Sequence, residues 1–369
     1  MNPFDLNLAR AFSAPLTFCP RPDIAAGLGR SFAGKLLTLV DGERRLGKSA
    51  GIIASSIMAG RPILHLDLMG VTSEEGVNDA FRWGWNCFRQ HESQGLFVGV
   101  RAEISAKVPL TPVTVKLSGA GEATPESWGD VIQAFDQRCA LSGGILFIDE
   151  FQALRDLPKF GASATQRLRA RLQTSRHLTP VLAGSSQALL SPMFATASAP
   201  FYKSVRLQLH VGPLDKVAFT KWAGGVFRGP ARELETEAVN RLYDVTEGVT
   251  EDMIATCAEL WNQGVKDRPV TPADIEVSWR NVVANAVSLF LPGVSSLPPA
   301  QARLLRYIAR NPNTQPFSAT TLKDLGFNRS TVHGSLARLT EKSLVRERET
   351  DGRKRVWVQD ARIAFYLRG

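Results

Sequence analysis

Over the first 210 or so residues, short apolar runs alternate with stretches of helical spacing. The runs at 35–40, 62–68, 144–148 and 180–183 are predominantly apolar and rich in β-formers, as buried strands are. A fifth, at 205–211, alternates Val205, Leu207, Leu209 and Val211 with polar residues, which predicts a strand with one exposed face. Helical periodicity fills the intervals at 48–58, 73–90, 125–140 and 162–175. Strands alternating with helices predict an α/β domain, a parallel sheet with helices on both faces.

The pattern then changes. Residues 99–124 are rich in Pro, Gly and Thr and read as an insertion in the first domain. From 213 to about 289 the spacing is helical (233–246, 250–263, 271–286), predicting a small helical domain. Pro, Gly and Ser at 290–299 predict a linker. Beyond it come three helical stretches, at 299–311, 319–325 and 328–344, and then two runs flanking Asp351-Gly352, a hairpin signal. Three helices followed by a hairpin read as a winged helix. The predicted division is 1–212, 213–289 and 290–369.

Charge sharpens this division. The 369 residues carry a net charge of +9, yet from Leu297 onward there are 14 Lys/Arg against 6 Asp/Glu, so the tail holds nearly all of the excess. A basic terminal block points to nucleic acid. Neither a secretory leader nor an apolar run long enough to span a membrane is apparent, which predicts a cytoplasmic protein with no membrane partner. Cys19, Cys87, Cys139 and Cys257 have no metal or redox spacing, and reduced core thiols are expected.

The most specific chemistry is Gly42-Glu43-Arg44-Arg45-Leu46-Gly47-Lys48-Ser49, which fits G-x-x-x-x-G-K-[ST] at every fixed position. A strand enters it and a helix leaves it. Glycines let the backbone N–H groups curl around phosphates, and the helix start, with Ala50 in its first turn, adds unpaired donors. Lys48 is expected on the β/γ-phosphates and Ser49 on Mg²⁺. A second motif, Ile145-Leu146-Phe147-Ile148-Asp149-Glu150, ends a buried strand in two acids: Asp149 as a metal ligand, Glu150 to orient or deprotonate water. A third, Ala183-Gly184-Ser185-Ser186, puts small hydroxyls after a strand, with Ser185 the expected γ-phosphate sensor. The implied ligands are ATP and Mg²⁺.

With these motifs the chain resembles the archaeal-type ATPases, a branch of the AAA+/STAND class of P-loop NTPases. Phe18-Cys19-Pro20-Arg21 resembles the family's F-x-x-R box, which implies that Arg21 borders the adenine. The double-Arg phosphate loop, the D-E-F-Q ending at Gln152 and the Gly-Ser-Ser sensor are similar to the family's. The resemblance implies an ATPase with a nucleotide domain, a helical lid and a winged helix. One element departs: where the family has P-L-Y-G-R, this chain reads Pro200-Phe201-Tyr202-Lys203-Ser204, leaving Lys203 and Arg206 as substitutes for an arginine. Slow or partner-dependent turnover is therefore expected.

For the winged helix, Arg329, Ser330, Thr331 and His333 are expected in the major groove of duplex DNA, and Arg353, Lys354 and Arg355 on phosphates. The alternating charges of Arg346, Glu347, Arg348 and Glu349 suit a solvated arm instead. The expected activity is an ATPase whose nucleotide state switches a DNA-contacting winged helix. The competing reading is a nucleotide-gated assembly protein with slow turnover, acting through protein partners or further copies of itself.

Overall fold

A computed structural model describes residues 4, 8, 11–12, 19–94, 125–184, 193–227, 234–264, 268–350 and 353–369. The insertion expected at 99–124 lies outside them. The chain forms two compact units, Leu6–Trp222 and Met1–Asp5 with Ala223–Gly369.

The first unit holds a five-stranded sheet, β1 (Thr38–Asp41), β2 (Ile63–Asp67), β3 (Gly144–Asp149), β4 (Leu178–Gly184) and β5 (Leu207–His210), in the order β2-β3-β4-β1-β5. Every pairing is parallel. β1, β3 and β4 are buried at every position, which is why their sequences are largely apolar. β5 lies at the edge, and its burial alternates as its sequence does. Before β1 comes α1 (Pro22–Gly34). The helices that follow are α2 (Lys48–Met58), α3 (Glu74–Ser93), α4 (Trp128–Arg138), α5 (Gln152–Arg155) and α6 (Gly161–Thr174). Two of them begin at side-chain caps: for α3, Ser73 accepts from Gly76 N–H at 3.1 Å, and for α4, Ser127 forms a capping box with Asp130. α2 and α3 take opposite faces of the sheet. Ser49 of α2 bonds Asp149, whereas Gly84 of α3 sits against β2 so closely that a Cβ there would lie 2.7 Å from Leu66 on the other face.

α7 (Lys216–Phe227) carries the chain across the unit boundary, which falls between Trp222 and Ala223. The second unit contains α8 (Thr236–Thr246), α9 (Thr250–Gln263), α10 (Pro272–Ser295), α11 (Pro299–Arg310), α12 (Ala319–Leu325), α13 (Arg329–Glu341), the antiparallel pair β6 (Val345–Thr350) and β7 (Arg353–Val358), and α14 (Ala361–Arg368). Three helices and the hairpin enclose a core of Leu304, Leu305, Ile308, Val332, Leu336 and Val356. The linker expected at 290–299 is not a linker. α10 runs on through Pro292 to Ser295, and Pro298 leads directly into α11. Val294 and Leu297 are buried in the winged-helix core and Phe290 packs against it, so burial overrides the local Pro/Gly signal. Among the described residues, no helix is long and apolar enough to cross a membrane.

Candidate functional site

The carboxyl ends of β1 and β3 bring the first two motifs together, with β4 between them ending in the small pair Ala183-Gly184. Crevices at strand carboxyl ends are where open α/β sheets bind ligands. Gly42 leaves β1 at φ +148°, and a Cβ there would lie 2.4 Å from the carbonyl oxygen of Val211, so only glycine fits. Arg45 and Gly47 follow at φ +69° and +78°, curling the loop into α2.

Lys48 is buried, and its Nζ donates to the carbonyls of Gly42 (2.8 Å) and Glu43 (2.6 Å). Burial pushes its pKa down, and the attraction of Asp149 and Glu150 does not restore it. Ser49 Oγ donates to Asp149, whose carboxyl is pushed up by burial despite that bond. Both buried ions are therefore under-compensated: an anion is wanted at Lys48 and a cation at Asp149. A metal–phosphate ligand supplies both, and in this sense the donor set fits Mg²⁺ and a nucleotide.

Glu150 turns the chain out of β3 at φ +48°, a left-handed conformation costing about 1–2 kcal/mol for such a residue. Strain of this kind persists where the surroundings over-determine it. Here Glu150 N–H donates to Asp149 Oδ1 at 3.0 Å, and its carboxylate accepts from Nε2 of the buried Gln152. Gln152 was legible as part of the motif but not as the group that holds the glutamate. His65, on the neighbouring strand, stacks on Phe147 at 4.8 Å, and burial pushes its pKa down.

Arg21 lies under the loop, 4% exposed. It donates to Leu46 O (3.0 Å) and Gly212 O (2.9 Å) and pairs with Asp23. It thus braces the phosphate loop against the segment after β5. Gly51 lets α1 approach this closely: a Cβ there would meet Ile24 at 2.8 Å and Arg21 at 3.1 Å. Phe18, Ser185 and Ser186 lie outside the described residues. A group that motif reasoning missed is Asp41. Buried at the end of β1, it accepts from Gln208 Nε2 and shares a hydrogen bond with His210 Nδ1, both at 2.6 Å. Its only signal was an acid ending an apolar strand just before Gly42. Lys203 and Arg206 immediately precede β5, at the amino-terminal edge of the sheet, the end opposite the phosphate loop.

In the winged helix, Asn328 caps α13 by accepting from Thr331 N–H at 2.8 Å, and it also accepts from Ser330 Oγ at 2.8 Å. Arg329, Ser330 and His333 are exposed and Thr331 half-buried. Arg329 lies over the Phe317 ring (5.3 Å), against which His333 also stacks. The wing cations differ in their surroundings. Arg353 is exposed, Lys354 pairs with Glu347, and Arg355 donates to Asn313 O at 3.3 Å. The first arm is not freely solvated either. Arg346 pairs with Glu247 of the α8 terminus at 2.6 Å, and in α14 Arg362 pairs with Asp252 of α9 at 2.7 Å. Asp252 is fully buried.

The Walker-type ATPase of Pyrococcus abyssi matches this structure with a TM-score of 0.69, covering 100% of both chains at 18% identity. This is the fold of a Walker-type ATPase. Residues 295–355 match the MarR family, and that stretch is the winged helix of this fold. The Orc1 protein of Aeropyrum pernix in complex with DNA (TM-score 0.46, 14% identity, 94% of this chain and 90% of that one) and the RuvB Holliday junction branch migration motor of Thermotoga maritima (0.45, 14%, 95% and 96%) are more distant, and at those scores neither carries an argument. No curated protein matches the chain by sequence. The four cysteines are free, and the thiol of Cys19 is pushed up to about 12 by burial, as an inert core residue's would be.

Proposed function

We propose that this chain binds ATP with Mg²⁺, hydrolyses it, and couples its nucleotide state to a winged helix that contacts duplex DNA. The observation carrying the reading is geometric: the buried Lys48 and the buried Asp149, the latter bonded to Ser49, meet at the carboxyl ends of two strands. In this reading the backbone of Gly42, Glu43, Arg44, Arg45, Leu46 and Gly47, with the first turn at Ala50, cradles the phosphates. Lys48 neutralises them, and Ser49 and Asp149 hold the metal. Bound Mg²⁺ would supply charge neutralisation on the phosphate oxygens. Arg21 acts by fixing the loop. Glu150 takes the proton of the attacking water once it leaves Gln152, and Ser185 keeps the sensor role. Residues 1–212 form the nucleotide domain, 213–289 the lid and 290–369 the winged helix. Arg329, Ser330, Thr331 and His333 face base edges, while Arg353, with smaller contributions from Lys354 and Arg355, meets phosphates.

The test is ATP hydrolysis by the purified chain with and without duplex DNA, with Glu150→Gln as control. Turnover that rises with DNA and disappears in the control is the expected result; turnover indifferent to DNA sinks the coupling. One observation favours a second reading, a nucleotide-gated assembly switch working through protein partners or further copies. Arg346–Glu247 and Arg362–Asp252 tie the winged helix to the helical segment, as suits a module held in place rather than one free to search DNA. ATP-dependent oligomerisation without DNA affinity would select it.

A further inference from the structure

At the amino-terminal edge of the sheet a cleft of about 410 Å³ opens between the residues leading into β1, β4 and β5 and the flank of α6. Lys35, Arg169, Lys203 and Arg206 line it, and no carboxylate does. None of these four cations has an acidic partner among the described residues. Lys35 Nζ donates to the carbonyl of Arg176 (2.9 Å), Arg169 donates to that of Pro200 (2.7 Å), and Lys203 lies over the Tyr202 ring at 5.3 Å. Arg169 Nε is shielded from water without a partner. Like charges gathered in a cleft repel one another, and here no acid offsets them as Glu75 and Asp79 offset Arg82. Lys203 adds a second observation. It sits at φ +54°, a conformation that glycine adopts freely and lysine resists. A glycine would close the turn with less strain, so the lysine adds charge to the cleft at a conformational cost.

We infer that this cleft binds the phosphate backbone of nucleic acid, as a second contact separate from the winged helix. Two connecting segments and a helix contribute the cations, and four cations drawn from separate elements suit successive phosphates better than one small anion. Tyr202, half-buried beside Lys203, offers a ring edge to a sugar or base. β1 alone, at ~3.3 Å per residue, puts the cleft roughly 13 Å from the loop that holds Lys48, so its cations do not serve this chain's own triphosphate.

The inference does not depend on DNA binding by the wing, and the experiment separates the two. In the full chain, Arg329→Gln, Arg353→Gln, Lys354→Gln and Arg355→Gln remove the DNA-contacting cations proposed for the winged helix. Binding of a fluorescent duplex is then followed against KCl concentration, before and after adding Lys203→Gln with Arg206→Gln. The expected result is a further loss of tenfold or more, with the slope of log affinity against log salt shallower by about two. Lys203→Gly guards against misfolding: its melting temperature should hold or rise while affinity falls. Unchanged affinity and slope would overturn the inference, as would a wing-neutralised chain that no longer binds DNA at all. If the pair of substitutions instead leaves DNA binding intact and abolishes the dependence of ATPase activity on protein concentration, the cleft faces the nucleotide of a second copy and the inference fails.

Discussion

The phosphate loop and the wing are both basic, but they carry charge in opposite ways. Around the loop, Lys48 and Asp149 come from two strand ends to one point, are buried there, and lack full compensation. On the wing and α13, Arg329, Arg353 and Arg355 are exposed or half-buried along a helix and a strand, some with a local partner. The first arrangement carries a desolvation cost that a ligand of matched charge would relieve. The second stores little, and gains affinity by adding contacts. A point site should fail at one substitution, whereas a distributed surface should fade.

The largest effects should therefore fall at the loop. Lys48→Ala is expected to lower ATP affinity at least 100-fold by calorimetry. Glu150→Gln should keep affinity and lose roughly 10²–10⁴ in turnover. Comparable turnover in that variant would break the comparison at its stronger end. Next comes the tie inside the second unit. Arg362→Ala leaves the buried Asp252 without this cation, and should cost about 3 kcal/mol in urea unfolding, the low end for a broken buried pair. On the wing, Arg353→Gln alone should weaken duplex binding only a few-fold and flatten the salt slope by about one. A 100-fold loss there would mean the wing, too, is a point site. The smallest effect is at the α10 capping box. The hydrogen-bonded Arg268, with Thr271, holds the Asp274 carboxyl well below its ordinary 3.8. Its stabilisation is present above that value and is lost as pH falls toward the lowered one. Asp274→Asn should cost about 1 kcal/mol at pH 7, and the gap to the parent should close in strong acid.

The sheet was legible because a parallel strand covered on both faces has no polar alternative: 144–148 and 180–183 could hardly be read otherwise. The loop was legible because Gly42 and Gly47 meet backbone demands that are local. What escaped was whatever depended on a distant partner. Nothing near Arg21 in the chain shows that it braces Leu46 and Gly212. Nothing near Gln152 shows that it reaches back to Glu150. The stretch 290–299 has the composition of a linker, and only the core formed by residues up to 70 positions later turns it into helix. Charge alternation at 346–349 suggested a solvated arm, because Glu247 lies 99 residues away from Arg346.

The Arg362–Asp252 pair also imposes an order in time. Asp252 leaves the ribosome 110 residues before the arginine that pairs with it. At synthesis rates of roughly 5–20 residues per second, α9 spends on the order of 5–20 s with its inward-facing carboxylate lacking that cation. During that interval the apolar face of α9 has reason to stay open to water or to a chaperone. The helical segment can therefore settle only after translation has passed the winged helix, and a ribosome stalled within that helix would expose a half-built unit to proteolysis.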